Sequence, residues 1–174
     1  MDAVVTGRYT AQADEPFVVF LIGMRINHLR AVRKWVPTFT AMIRMLRRLL
    51  ADPEKGFLHG QTIFYRRGIG LVQYWRSFDD LERFARSTSE PHLAAWRRFN
   101  RVVGYTDGSV GFWHESYLVD PRHCEAVYGN MPVFGLARAT NHVPAIGRLE
   151  TARSRLGGHS EPAVPSSPPD QPST

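Results

Sequence analysis

The chain has 174 residues, 43% of them hydrophobic and 22% charged, with a formal net charge of +6. That is ample apolar material for one core without covalent staples, and a single cysteine, Cys124, excludes an internal disulfide. The longest apolar run, Phe17 to Met24, is too short to span a bilayer, and the opening Met-Asp carries no basic leader, so a cytoplasmic protein with no membrane partner is expected. Lys34 and Lys55 are the only lysines. The arginines (Arg30, Arg33, Arg44, Arg47, Arg48, Arg83, Arg86, Arg97, Arg98 and Arg101 among them) are spread along the chain and build no phosphate-tracking stripe, so no nucleic-acid partner is expected.

In chain order, residues 1–15 are polar and turn-prone and read as an N-terminal arm. Phe17 to Ile26 (FVVFLIGMRI) is apolar on both alternating sides, which predicts a central strand that must be covered on both. Helices cover one side. Too few further strands are evident to supply a second layer, so a second copy of the chain is expected there. From Leu29 to Ala51 the period becomes helical, with Phe39, Met42, Ile43, Leu46 and Leu49 on one stripe. Pro37 lacks an N–H and crowds the preceding turn, so it is expected to start the main helix after a shorter helical piece.

Phe57 to Tyr65 and Ile69 to Trp75 read as a hairpin, with Gly68 expected to supply a positive φ at the turn. Ser77 reads as an N-cap three residues before Asp80. His92 to Val103 reads as a second helix, and Val110 to Val119 as a last strand. The order strand, helix, strand, strand, helix, strand predicts an α+β, ferredoxin-like βαββαβ domain over residues 16–120: a four-stranded antiparallel sheet with its helices on one face. Residues 121–148 form an extension, in which Tyr128 to Pro132 reads as a turn, expected to pack on the domain or on a partner. Residues 149–174 end in Pro, Ser and Gly without periodicity, a disordered tail.

No phosphate loop, paired-cysteine site, HExxH or GxSxG is present. The chemistry-bearing residues form a constellation instead. His92 heads a stripe continued by Trp96 and Phe99, as a core histidine, a base in an apolar pocket or an axial ligand to haem iron. Gln73, Trp75, His59, Gln61 and Tyr65 share one expected hairpin face, with Arg25 on the matching face of the first strand, as a pocket lining or a dimer interface. His114 and Glu115 point to opposite sides of their strand, and Glu115 shares its side with Trp113 and Tyr117. In a desolvated cavity Glu115 would handle a proton, and otherwise it would pair with an arginine. Asn27, Asn100 and Tyr128 are weaker candidates, expected in caps or turns.

The phrases LVQYWRSFDDLERFAR, PHLAAWRRFNR, VGFWHESY and EAVYGNMPVFGLA resemble an uncharacterised monooxygenase-like family, to which a fumagillin-pathway antibiotic-biosynthesis monooxygenase belongs. The resemblance covers roughly residues 5–145. It implies the dimeric α/β-barrel superfamily, in which two ferredoxin-like sheets pack face to face and each encloses a cavity between sheet and helices. That superfamily includes cofactor-free oxygenases of aromatic polyketides, haem-degrading monooxygenases, chlorite dismutases and haem aldoxime dehydratases, so fold alone does not fix activity. Its haem-degrading members use an Asn, a Trp and a His. Asn27, Trp75 and His92 stand in similar places, with Asn27 past its strand end and a long Trp-to-His interval.

The expectation is a homodimeric oxidoreductase, a monooxygenase acting on a small apolar or aromatic metabolite with either no cofactor or haem. His92, Glu115, Trp75, Gln73 and Tyr117 are its catalytic candidates, and Arg25, His59, Gln61, Tyr65, Trp96, Trp113 and His114 its pocket. A non-catalytic small-molecule or haem-binding dimer is the alternative.

Overall fold

The computed structural model describes residues 2–87, 97, 100, 101 and 104–158. Its main sheet is made of β2 (Phe17–Ile26), β3 (Phe57–Tyr65), β4 (Gly68–Trp75) and β5 (Val110–Val119), all antiparallel in the order β3-β4-β2-β5. This is the ferredoxin-like arrangement. α1 (Val32–Leu50) and α2 (Phe78–Arg86) lie on one side of it. Their Met42, Leu46, Leu49, Leu81 and Phe84 pack onto Val18, Met24, Ile69, Leu71 and Trp75 of the sheet. The Ser77 hydroxyl accepts the Asp80 N–H at 3.1 Å and caps α2. Asp80 is buried between Arg76 (2.9 Å) and Arg83 (2.6 Å), and those guanidiniums hold its carboxyl below its ordinary range.

Three details differ from the sequence expectation. α1 runs unbroken through Pro37. The proline sits in the second turn of the helix, where it removes only its own bond to the Arg33 carbonyl, and the nineteen-residue helix tolerates that single loss. At the hairpin, Arg67 and not Gly68 takes the positive φ, 63°. Gly68 is needed for close approach instead: a Cβ there would lie 2.2 Å from the Tyr65 ring and 2.6 Å from the Met24 carbonyl oxygen. The tail begins later than expected, since residues 152–155 are helical and the buried Arg155 guanidinium bonds Glu125 and the carbonyls of Leu149 and Glu150. Residues 159–174, the rest of the expected tail, lie outside the described residues.

A second sheet is the larger departure. The expected arm contains a strand, β1 (Val5–Gln12), which runs between β6 (Tyr128–Met131) and β7 (Asn141–Pro144). The expected turn at Tyr128 to Pro132 is therefore mostly strand, with only Asn130 at a positive φ of 51°. Thr10 is fully buried and donates its hydroxyl to the Ala126 carbonyl at 2.8 Å. The short α3 (Leu136–Ala139) joins this sheet to the outer side of the main one: Gly135 N–H donates to the Gln61 side-chain oxygen at 3.2 Å. The chain thus supplies part of the second layer itself. Phe17 is buried beneath it, while Val19 and Leu21 farther along β2 stay half-buried.

Candidate functional site

Strand register divides the candidate residues between two sides of the sheet. Tyr65 is opposite Gly68 across a two-residue turn, so odd-numbered residues of β3 share a side with even-numbered residues of β4. An irregularity between Phe57 and His59 then moves Phe57 to the helix-facing side. Gln73 and Trp75 face the helices, while His59, Gln61 and Tyr65 face outward. The single polar hairpin face expected from alternation does not exist.

On the helix-facing side Trp75 is completely buried, edge-on to Phe57 at 5.2 Å and 5.5 Å from Phe84 between ring centres. Its indole N–H donates to the Gln73 side-chain oxygen at 2.9 Å. An indole N–H can only donate, so this bond fixes the amide's orientation and turns its NH2 away from Trp75. Gln73 is 1% exposed and its Nε2 has no hydrogen-bond partner. Leaving such a donor unmatched in a core costs about 1–3 kcal/mol.

Across the strands Gln73 stands in the row Gly60, Gln73, Phe20, Ser116, and the next row ends in His114. The His114 ring lies 5.8 Å from Phe20 and 5.7 Å from Phe112. His114 is the one titratable side chain that the described strands present on this side. It and Ser116 are exposed, because β5 is an edge strand. At the end of the same side, an open cleft of about 420 Å³ is lined by Val18, Ser77, Phe78 and Leu118. The charged groups at its rim are engaged: Arg76 with Asp80, and Asp120 with Arg122, which draws the Asp120 carboxyl down to about 2.

On the outer side the residues form two separate groups. Trp113 lies flat over Gly23, where a Cβ would come within 2.6 Å of the indole nitrogen. Its N–H donates to the Tyr65 hydroxyl at 2.7 Å, which donates in turn to the Met24 carbonyl at 2.7 Å. Arg25 donates to the Asn27 side chain at 2.6 Å, and the Asn27 amide donates to the Gly108 carbonyl at 2.9 Å. These bonds tie strand ends together and engage the Asn27 side chain through both its oxygen and its amide nitrogen. At the opposite end, burial pushes the Tyr74 hydroxyl up to about 12, with Tyr128 and Cys124 adding to it. Burial, then the Arg138 guanidinium, lowers His59. Tyr128 is no turn residue: its hydroxyl accepts the Ala137 N–H at 3.3 Å.

Glu115 is exposed at the edge, where it accepts the Tyr117 hydroxyl at 2.5 Å. The expectation of a desolvated acid there is not met, and its partner is a tyrosine rather than an arginine. That bond raises Tyr117 above its ordinary range. His92 and Trp96 lie outside the described residues, and of Asn100 only its exposed, helical position is described. Phe20 and Ser116, the neighbours of Gln73 across the sheet, were not singled out from the sequence, because their meeting depends on the pairing register. Among the described residues no three His, Cys, Asp or Glu side chains gather as a metal site. No described helix is long and apolar enough to cross a membrane.

A family model described as monooxygenase af470-like matches residues 17–136, the whole main sheet and the chain as far as α3. Comparison with curated proteins finds no match. Among solved structures, aldoxime dehydratase OxdRE in complex with butyraldoxime is similar at 21% identity and TM-score 0.61, over 79% of this chain and 41% of its own. A second aldoxime dehydratase is similar at 18% identity and TM-score 0.63, over 79% of this chain and 44% of its own. The chain therefore spans less than half the length of either. SnoaB, a cofactor-independent oxygenase from Streptomyces nogalater, aligns at 15% identity over 60% of this chain and 93% of its own, with a TM-score of 0.41. The two dehydratases support the fold and nothing finer.

Proposed function

Because this chain belongs to the monooxygenase af470-like family, we propose that it is a homodimeric oxygenase of a small apolar or aromatic metabolite, working on the helix-facing side of its sheet. The observation that carries the location is the buried Gln73–Trp75 pair, whose unmatched amide lies in the same cross-strand row as Phe20 and the exposed Ser116. The floor beside it, Phe20, Ile22 and Phe112, is apolar and suits a flat hydrocarbon-rich molecule. A monooxygenase without a cofactor takes its electrons from the substrate: a CH2 group and O2 become a carbonyl and water. The protein then has to position the substrate, keep water away and move protons. His114 is the residue we assign to the proton, since imidazole is the side chain suited to that work near neutral pH.

Haem is the other form of this reading. Among the described residues His114 is the one imidazole on this side, and no acceptor holds its second ring nitrogen, as ligating histidines ordinarily require. The described residues therefore do not make a haem site, and that form rests on His92. The second copy would cover the half-buried Val19 and Leu21 on the outer side.

Two measurements on the purified protein test the proposal: its visible absorbance spectrum, and oxygen uptake with a panel of neutral bicyclic and tricyclic phenols, quinols and ketones. Uptake without a Soret band, reduced about 10²-fold or more in His114→Phe, is the expected result. A Soret band lost in His92→Ala would replace the cofactor-free form with the haem form. A colourless protein that consumes no oxygen with any of the panel would leave a binding module instead.

A further inference from the structure

Resting on the reading above for the site, and going beyond it in the substrate's chemistry, we propose that the bound molecule carries a neutral oxygen acceptor, a ketone or quinone carbonyl, that takes the side-chain N–H groups of Gln73.

The amide cannot turn over to satisfy itself. Trp75 needs the oxygen, so the NH2 group stays directed elsewhere. Buried polar groups in native proteins are almost always matched, so an unmatched one calls for an absent partner. The surroundings say from which side that partner arrives. Toward β3 the neighbour is Gly60, and the space above it is filled: a Cβ there would meet Phe57 at 2.7 Å and Leu46 at 3.2 Å. Toward β5 the neighbours are Phe20, half-buried, and then Ser116, exposed. Ser116 is two strand spacings from Gln73, about 10 Å, so a flat molecule entering over the edge strand and lying on Phe20 has the length to reach the amide.

The charge pattern narrows the acceptor. None of the described strand residues on this side is cationic. A carboxylate or phosphate would be stripped of water with two neutral donors as its whole compensation, which is unfavourable. A carbonyl oxygen conjugated to a ring loses little on leaving water and accepts both N–H groups. His114, against the far side of Phe20, is placed beside the body of such a molecule rather than at its oxygen.

The test compares 1-tetralone with tetralin, the same bicyclic skeleton with a carbonyl in place of one CH2. Binding of each to the full chain is measured by titration, and the ¹⁵N side-chain amide resonance of Gln73 is followed alongside. Wild type is expected to hold tetralone about tenfold more tightly and to shift that resonance with tetralone alone. Gln73→Met removes the donors at similar volume and is expected to bind the two probes equally. Equal binding of the probes by wild type, failure of both to bind, or an amide resonance that tetralone leaves unmoved because a resident water holds it, each overturns the inference. If the variant does not fold, the wild-type comparison and the resonance decide alone. The two readings fail separately: equal binding leaves an apolar-site oxygenase standing, and tetralone selectivity in a protein that never takes up oxygen removes the oxygenase and keeps the acceptor site.

Discussion

The two sides of one sheet are finished by different means. Facing the helices, β2 and β4 contribute Val18, Met24, Leu71 and Trp75, all nearly or completely inaccessible, with Phe20 and Ile22 half-buried between them, and among the described residues the one buried side-chain atom without a partner is the Gln73 amide nitrogen. Facing outward, the same strands contribute Phe17, Val19, Leu21, Gly23, Val72 and Tyr74, and coverage is a patchwork. One end lies under the chain's own second sheet, the other is closed by Trp113 and Tyr65 lying on glycines, and the middle is half-buried. A single unmatched donor is informative because the other buried polar side-chain atoms among the described residues have partners. Polar groups on the patchy side are more numerous and say less, since most are already engaged in holding strand ends.

The sharpest way to break this contrast is to damage the dry side. Trp75→Ala is expected to destabilise the fold by about 3–5 kcal/mol in urea unfolding, through lost burial and the cavity left against Phe57 and Phe84. A loss below about 1 kcal/mol would mean that this layer is no better packed than the other. On the patchy side, Leu21→Asp is expected to leave the fold intact and convert a dimer to a monomer in sedimentation. A wild type that already sediments as a monomer would show the extension to be all the cover this side has.

The smallest expected effect is a pH slope. His59 is held below its ordinary range by burial and by Arg138, so the unfolded chain takes the proton more readily. Stability should therefore fall as pH drops through about 6.5 and level off below the folded-state value. Comparing wild type with His59→Gln at about pH 7.5 and 5.5 by thermal unfolding should isolate a contribution under about 1 kcal/mol, lost in the variant. A slope unchanged by the substitution would place the titrating group elsewhere.

What the sequence disclosed follows the strength of the local pattern. The doubly apolar β2, the stripe of α1 and the Ser77 cap are strong signals, and the order of the main elements follows from them. The division of the candidate site was not legible. It depends on a turn in which Arg67 rather than Gly68 takes the left-handed conformation, and on one irregularity after Phe57, each of which reverses the side on which residues appear. The second sheet was missed because β6 and β7 are four residues long and β1 (VTGRYTAQ) is largely polar. Nothing local marks such segments as strands, since their partners are distant in the chain. The exposure of Glu115 in the single chain was not legible for a related reason: edge position decides it, and edges are a property of the sheet, not of the strand.

The placement of β1 between β6 and β7 also bears on how the molecule is made. Thr10 and the carbonyl that anchors it are 116 residues apart, so during synthesis the leading segment leaves the ribosome long before either flanking strand has been translated. The ferredoxin-like unit can collapse while that segment waits unpaired, and the last ribbon to close carries the α3 connection that drapes over Gln61. A bulky fusion ahead of Val5 would burden this late docking step while sparing the helix-covered core.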